Sequence, residues 1–129
     1  MRNNIKCLLL YPPNQLMDIE IPRPDGSLGP LYLAAALEDQ GFQTDILDAS
    51  VGHENSKLED TFYRSIKQDN GLIRIGMDFN EIANYVSEGK YNVVGITSNF
   101  APQTNMVFKT AKAIKDMDPN TAIFAGGVN

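Results

Sequence analysis

A chain of 129 residues with 43% hydrophobic and 21% charged residues has the composition of one globular domain, not of a disordered segment. Eleven lysines and arginines against sixteen aspartates and glutamates give a net charge of −5, and no basic cluster offers a surface for nucleic acid. The apolar runs are too short to cross a bilayer, and one cysteine cannot form an internal disulfide, so we expect a cytoplasmic protein.

The chain begins with a predicted central strand. Residues 5–11 form a nearly continuous apolar run, which is typical of a strand buried on both faces of a parallel sheet. Pro12 and Pro13 end it because proline cannot donate to the ladder. The irregular sequence over 14–26 predicts a functional loop at the sheet edge.

A helix and a second strand follow this loop. Ser27 can cap a helix over 28–40, which Gly41 is placed to end. Apolar side chains occur almost all round this helix, which predicts deep packing against the sheet. Residues 42–50 predict a second, shorter strand.

The middle of the chain is less regular. Ser56 and Glu59 fit a capping box, which predicts a helix there. Its apolar side consists of Leu58, Phe62 and Ile66. Residues 71–77 are compatible with either a short edge strand or an extended connector.

Two more helix–strand units complete the chain. Asp78 and Glu81 form a second capping box, with Met77 and Ile82 as its hydrophobic staple. The helix that they open has one apolar face, formed by Phe79, Ile82, Ala83 and Val86. A buried strand over 91–100 precedes a helix that starts at Pro102 and ends before Pro119. The apolar face of that helix consists of Val107, Ala111 and Ile114. Residues 121–127 predict the last strand.

Alternating strands and helices predict an α/β fold, an open, doubly wound parallel sheet of the Rossmann-like or flavodoxin-like type. Four main strands are recognisable, whereas such folds usually have five or six. We therefore expect residues 1–129 to be one domain of a longer protein, truncated after its fourth main strand. The edge left unpaired there predicts self-association into a homo-oligomer.

Ligands of open parallel sheets bind outside the carboxyl ends of the strands. Small residues gather at this edge: Gly95, Thr97 and Ser98 on the third strand, Gly126 and Gly127 on the fourth. The paired glycines indicate either a slot beside the sheet, into which Ser98 could donate a hydrogen bond, or a tight turn into the next helix.

Common ligands of this architecture fit poorly. The turn after the first strand, "YPPNQLM", lacks the glycines of a dinucleotide site and the serines and threonines of a flavodoxin phosphate loop. No aspartate ends the third strand, as a phospho-receiver would require. Asp48 could contact a ribose, so a nucleotide-dependent enzyme stays an alternative.

Four segments together resemble the N-terminal cobalamin-binding domain of cobalamin-dependent radical SAM enzymes. They are "LLLYPPNQ", "GSLGPLYLAAALEDQGFQTDILDAS", "MDFNEIANYVSEGKYNVVGITSNF" and "TAIFAGGVN". The resemblance implies a corrin ring over the carboxyl edge of the sheet, with its nucleotide tail inserted into the domain. It also implies cofactor-binding residues at three strand ends: Tyr11, Pro12, Pro13 and Asn14 facing the corrin, Thr97 and Ser98 near the tail, Asn99 and Phe100 near the corrin rim, and Gly126 and Gly127 beside the buried base.

Related cobalamin domains carry an Asp-x-His-x-x-Gly motif whose histidine ligates cobalt. The matching stretch here, "PPNQLMD", has no histidine, as is common among radical SAM relatives. We expect His53, the one histidine, to be a solvated loop residue. The resemblance then implies a lower cobalt face that is open, water-bound, or covered by Asn14, Gln15 or Leu16.

Radical SAM enzymes hold a [4Fe-4S] cluster and S-adenosylmethionine with a CxxxCxxC motif. This chain has only Cys7, which we expect in the core, so the cluster and S-adenosylmethionine would belong to a following domain of a methyltransferase-type parent enzyme. The chain alone would bind cobalamin without catalysing the reaction. The alternative is a degenerate domain that holds no cofactor and serves as a docking or substrate-recognition module.

Overall fold

The computed structural model describes residues 4–17, 28–97 and 104–126. Three α-helices, seven strands and a short 3-10 helix occur there. In chain order they are β1 (Lys6–Tyr11), β2 (Asn14–Leu16), α1 (Leu28–Asp39), β3 (Gln43–Asp48), the 3-10 helix (Leu58–Asp60), β4 (Ile66–Lys67), β5 (Ile73–Ile75), α2 (Phe79–Gly89), β6 (Val93–Thr97), α3 (Thr104–Met117) and β7 (Ala122–Gly126).

The main sheet has four parallel strands in the order β3-β1-β6-β7. From β1 the chain moves outward to β3 and then crosses to β6 on the other side. The strand order therefore reverses between β1 and β6, which is the switch point where open parallel sheets bind ligands. This topology confirms the predicted α/β fold and the four main strands.

One face of the main sheet, called here the α2/α3 face, holds the hydrophobic core. Its buried side chains come from the sheet and both helices: Leu8, Leu10, Leu47, Val94, Ile96, Ile82, Val86, Val107 and Ile114. The predicted capping box of α2 is present, and the Asp78 backbone N–H donates to Glu81 Oε1 at 3.3 Å. Met77 and Ile82 are both fully buried in this core, as the staple predicts.

Helix α1 packs against β3 and β1 on the other face, called the α1 face. The expectation that α1 is deeply packed is wrong. Ala34 is buried, but Tyr32 and Leu33 are 74% and 56% exposed. A helix that is apolar all round does not specify which side turns inward, and the main contacts of α1 are with two strands, β3 and β1. Gly41, at φ 89°, ends the helix as predicted.

The segment between β3 and α2 forms no helix at Ser56, contrary to prediction. Only the 3-10 helix occurs there, and Ser56 Oγ accepts a hydrogen bond from the His53 backbone N–H at 3.1 Å. Such local side-chain bonds compete with helix formation. Ile66 instead starts β4, which pairs with β5, and β5 pairs on its other side with β2 to complete a small antiparallel sheet.

The small sheet is attached to the carboxyl end of β3. Gly76 follows β5 at φ 117°, and a Cβ at this position would lie 2.4 Å from the Ala49 carbonyl oxygen. The Met77 backbone N–H donates to that same oxygen at 2.7 Å. This close approach requires glycine and fixes the small sheet beside the carboxyl edge of the main sheet.

The helices that the structure describes are all too short or too polar for a transmembrane span.

Candidate functional site at the carboxyl edge

The carboxyl ends of four parallel strands form one row of residues on the α1 face. Asp48 is the register partner of Tyr11, and Thr97 is the partner of Gly126. Leu10 and Ile96 are paired and belong to the core on the α2/α3 face, so the next residues, Tyr11 and Thr97, lie side by side on the α1 face. The structure therefore brings three predicted site residues, Tyr11, Thr97 and Gly126, to one edge.

The predicted corrin-facing residues lie where the chain passes from the main sheet to the small sheet. Tyr11, Pro12 and Pro13 are buried. The Tyr11 carbonyl accepts the Ala49 N–H at 2.8 Å, which ties this bend to the end of β3. Asn14 is half-buried at the start of β2, and its Oδ1 accepts the Gln15 N–H at 3.1 Å. These hydrogen bonds hold the backbone of the bend that leads to Asn14.

Thr97 is half-buried and Gly126 is exposed at the ends of neighbouring strands. A Cβ built on Gly126 would have no described atom within 4 Å, so no described residue fills the space above this glycine. The remaining predicted residues, Ser98, Asn99, Phe100 and Gly127, lie outside the described residues.

A strip of the α1 face over β6 and β7 lies beyond the two strands, β3 and β1, with which α1 makes its main contacts, and it includes the exposed Phe124 and Gly126. We call it the open strip and define it by Gly95, Thr97, Phe124 and Gly126. Gly95 pairs with Phe124 across the strands, and a Cβ on Gly95 would lie 3.2 Å from Leu9 Cδ2. Phe124 is 66% exposed. Small residues and one aromatic ring thus form a shallow surface that leads to the carboxyl edge.

Phe124 was not among the residues that the sequence predicted for the site. The available signal was strand alternation: Ile123 packs against the core, so Phe124 must lie on the opposite face. Neighbouring elements decide which face of a strand they cover. The sequence pattern alone therefore could not show that Phe124 would be exposed.

The Asp48 carboxylate organises the turn that follows β3. Its Oδ1 accepts the Ser50 backbone N–H at 3.0 Å and the Ser50 hydroxyl at 2.6 Å. Asp48 thus makes an Asx-type turn, which accounts for an aspartate at this position without a ribose.

His53 lies in the loop after β3, as predicted, but it is half-buried instead of solvated. Its ring stacks on Tyr85 of α2 with centroids 5.6 Å apart, and its Nδ1 accepts the Asn55 N–H at 3.1 Å. Because Tyr85 packs with the core of the α2/α3 face, His53 is oriented away from the open strip.

Gln15 is committed to the small sheet. It is 7% exposed, and its Oε1 accepts hydrogen bonds from Gln68 Nε2 at 2.9 Å and Asn70 Nδ2 at 3.2 Å. Of the three side chains proposed for the lower cobalt face, Asn14 and Leu16 are more accessible than Gln15.

Cys7 is buried in β1, as expected for a core residue, and burial raises the pKa of its thiol. Within the described ranges, no three histidine, cysteine, aspartate or glutamate side chains gather closely enough to hold a metal ion.

Comparison with known proteins agrees with this geometry. The family profile for the B12 binding domain matches residues 26–129. A cytidylyl-2-hydroxyethylphosphonate methyltransferase from Streptomyces wedmorensis is 31% identical over 125 residues, which is 96% of this chain and 22% of that enzyme. The chain thus spans about a fifth of the length of this curated relative. No solved structure gives a significant match. With a parallel sheet of the required topology and a profile match over most of its length, the chain belongs to the B12-binding domain family.

Proposed function

We propose that residues 1–129 form the cobalamin-binding module of a radical SAM enzyme of the methyltransferase type. The observation that carries this proposal is the B12-binding match over residues 26–129, which includes β3, β6, β7 and the open strip. The similarity to a methyltransferase supports the reaction type, and the resemblance noted in the sequence supports the radical SAM parent.

The small residues near the carboxyl edge support an inserted nucleotide tail. A nucleotide tail needs an unfilled path along the sheet, and two positions of the open strip, Gly95 and Gly126, have no side chain. No described residue fills the space above Gly126, which supports a place for such a group at the end of β7. Bulky side chains at either position would fill the path.

Each residue at this edge has a role in binding and orientation. The Thr97 hydroxyl, half-buried at the end of β6, would hydrogen-bond to polar groups of the tail. The buried bend at Tyr11, Pro12 and Pro13 would hold Asn14 under the corrin. The resemblance to the cobalamin-binding domain of radical SAM enzymes is our basis for proposing four further contacts with the cofactor: Ser98, Asn99, Phe100 and Gly127. When bound, cobalamin would supply a cobalt centre able to carry a methyl group.

We also propose that no histidine of this chain ligates cobalt. His53 stacks on Tyr85 on the α2/α3 face, whereas the open strip lies on the α1 face. Asn14 and Leu16 are the candidates to approach the lower corrin face, because Gln15 is held by Gln68 and Asn70.

The [4Fe-4S] cluster and S-adenosylmethionine would be held by a further, radical SAM domain of the parent chain. Cys7 cannot contribute to such a cluster, since it is a single buried thiol in a central strand. In the gene, we expect a CxxxCxxC motif downstream of codon 129, and a gene without one would contradict the radical SAM assignment.

Titration of the purified protein with hydroxocobalamin tests the binding function. We expect a coloured complex that survives gel filtration and shows a visible spectrum of base-off cobalamin without histidine ligation. Absence of uptake at tens of micromolar would contradict the proposal and favour a docking module without cofactor. His53→Ala should leave the spectrum unchanged, and a changed spectrum would show that His53 ligates cobalt.

A further inference from the structure

We propose that Phe124 is an aromatic side wall of the open strip and contacts the planar base of the cobalamin nucleotide tail. Phe124 would thereby make binding depend on that base, so that the complete cofactor is preferred over a corrinoid without a nucleotide. This inference rests on the proposed cobalamin-binding function and names a residue that determines which corrinoids are bound.

The position of Phe124 follows from strand alternation. Ile123 packs against the core of the α2/α3 face, so the next residue, Phe124, lies on the α1 face. Helix α1 covers β3 and β1 on that face, and Phe124 is left 66% exposed. An aromatic ring with this exposure has apolar surface available to a ligand.

Two neighbours of Phe124 on this face are glycines. Across the strands it pairs with Gly95, and two residues further along β7 on the same face is Gly126, whose missing Cβ would meet no described atom within 4 Å. On the row below, Val93 pairs with Ala122. At Gly95 the Leu9 side chain lies close, since a Cβ there would be 3.2 Å from Leu9 Cδ2, so the room for a flat group beside the Phe124 ring is on the Gly126 side.

The chemistry of the ring matches the base better than any other part of the cofactor. A planar aromatic base can stack on a phenyl ring, and base–aromatic stacking is commonly worth about tenfold or more in affinity. The corrin macrocycle would lie at the carboxyl edge, beyond Thr97 and Gly126, whereas Phe124 is two residues below the end of β7. Phe124 is thus placed to contact the tail and not the corrin.

The test compares two ligands and two phenylalanines. Hydroxocobalamin carries the nucleotide, and cobinamide has the same corrin without it. Phe108 provides a matched control, because it is 69% exposed on α3, on the other side of the sheet. We expect Phe124→Ala to raise the Kd for hydroxocobalamin about tenfold and to leave the Kd for cobinamide unchanged. Phe108→Ala should change neither constant.

The outcomes separate this inference from the proposed function. If the wild-type protein binds neither corrinoid, the cobalamin-binding function is wrong, and this inference with it. If the wild-type protein binds hydroxocobalamin but Phe124→Ala weakens both ligands equally, or neither, Phe124 does not contact the base. Phe124→Leu keeps apolar volume and should show a smaller, still ligand-selective loss; an equal loss for both ligands would point to a structural role instead.

Discussion

Replacing Gly76 with alanine should detach the small sheet from the main sheet. The added Cβ would lie 2.4 Å from the Ala49 carbonyl oxygen and 2.9 Å from Ser50 Cα, both backbone atoms that cannot move aside cheaply. The φ of 117° adds a backbone cost for any residue with a Cβ.

A second glycine with positive φ separates these two effects. Gly71 has φ 84°, and a Cβ there would meet no described atom within 4 Å. Gly71→Ala should lower the free energy of unfolding by about 1 kcal/mol, from backbone strain alone. Gly76→Ala should cost roughly 3 kcal/mol or more, since overpacking against a rigid backbone adds about 1–3 kcal/mol.

Urea-induced unfolding followed by circular dichroism measures both changes. Hydroxocobalamin titration of folded Gly76→Ala should also show weaker binding, because the small sheet positions Asn14 and Leu16. Equal losses of stability for the two variants would refute the claim that close approach to Ala49 fixes the small sheet.

Three further predictions concern the edge, α2 and the core. Gly126→Leu should change the free energy of unfolding by no more than about 0.5 kcal/mol from the wild-type value, because no described atom lies near its Cβ. The same substitution should raise the Kd for hydroxocobalamin at least tenfold. Unchanged binding would contradict the proposed tail path. Burial opposes ionisation of Asp78, but the hydrogen bond from Arg74 and the charges of Arg64 and Arg74 outweigh it, so the pKa of Asp78 lies below its ordinary value. The ionised Asp78 therefore stabilises the folded protein above the unfolded pKa, and this stabilisation is lost as the pH falls through the folded pKa. Asp78→Asn should lower the free energy of unfolding at pH 7 by roughly 1 kcal/mol, a small value because the side chain is partly exposed, and the difference from wild type should vanish in acid. A difference independent of pH would exclude this charge effect. The Cys7 thiol should react with Ellman's reagent at least tenfold more slowly in the native protein than in urea at pH 8, and equal rates would show that β1 opens readily.

The sequence predicted the elements whose periodicity was clear. Helix α2 buries Ile82 and Val86, and α3 buries Val107 and Ile114, each pair at helical spacing on the predicted face. Helix α1 was predicted to be buried because its apolar residues gave no preferred side. In such a helix only the neighbouring elements decide which residues, such as Ala34 and Leu33, are covered or exposed.

The region around β4 could not be predicted from local patterns. The spacing of Phe62 and Ile66 suits one side of a helix, yet Ile66 pairs with Arg74 in an antiparallel strand. Such a pairing depends on contacts between distant parts of the chain. A hydrogen bond from the His53 backbone to the Ser56 side chain replaces the predicted capping box.

Convergence at the site was predictable in part. Tyr11, Thr97 and Gly126 end different strands, and parallel strands place their carboxyl ends at one edge. The order of the strands decides which ends are neighbours, and that order brings Thr97 next to Tyr11. The exposure of Phe124 could not be predicted from the sequence, because it depends on the strand register and on which strands α1 covers.

The central position of β1 has a consequence for how the chain folds. Its partner on one side, β3, follows within a few dozen residues, but its partner on the other side, β6, comes much later; the Lys6 backbone N–H donates to Asn92 Oδ1, 86 residues away. During synthesis the edge of β1 that pairs with β6 therefore stays unpaired until β6 has been made, and it can pair wrongly with other chains in that time. Closing so long a loop also slows folding, so we expect formation of the β1–β6 pair to limit the rate of refolding.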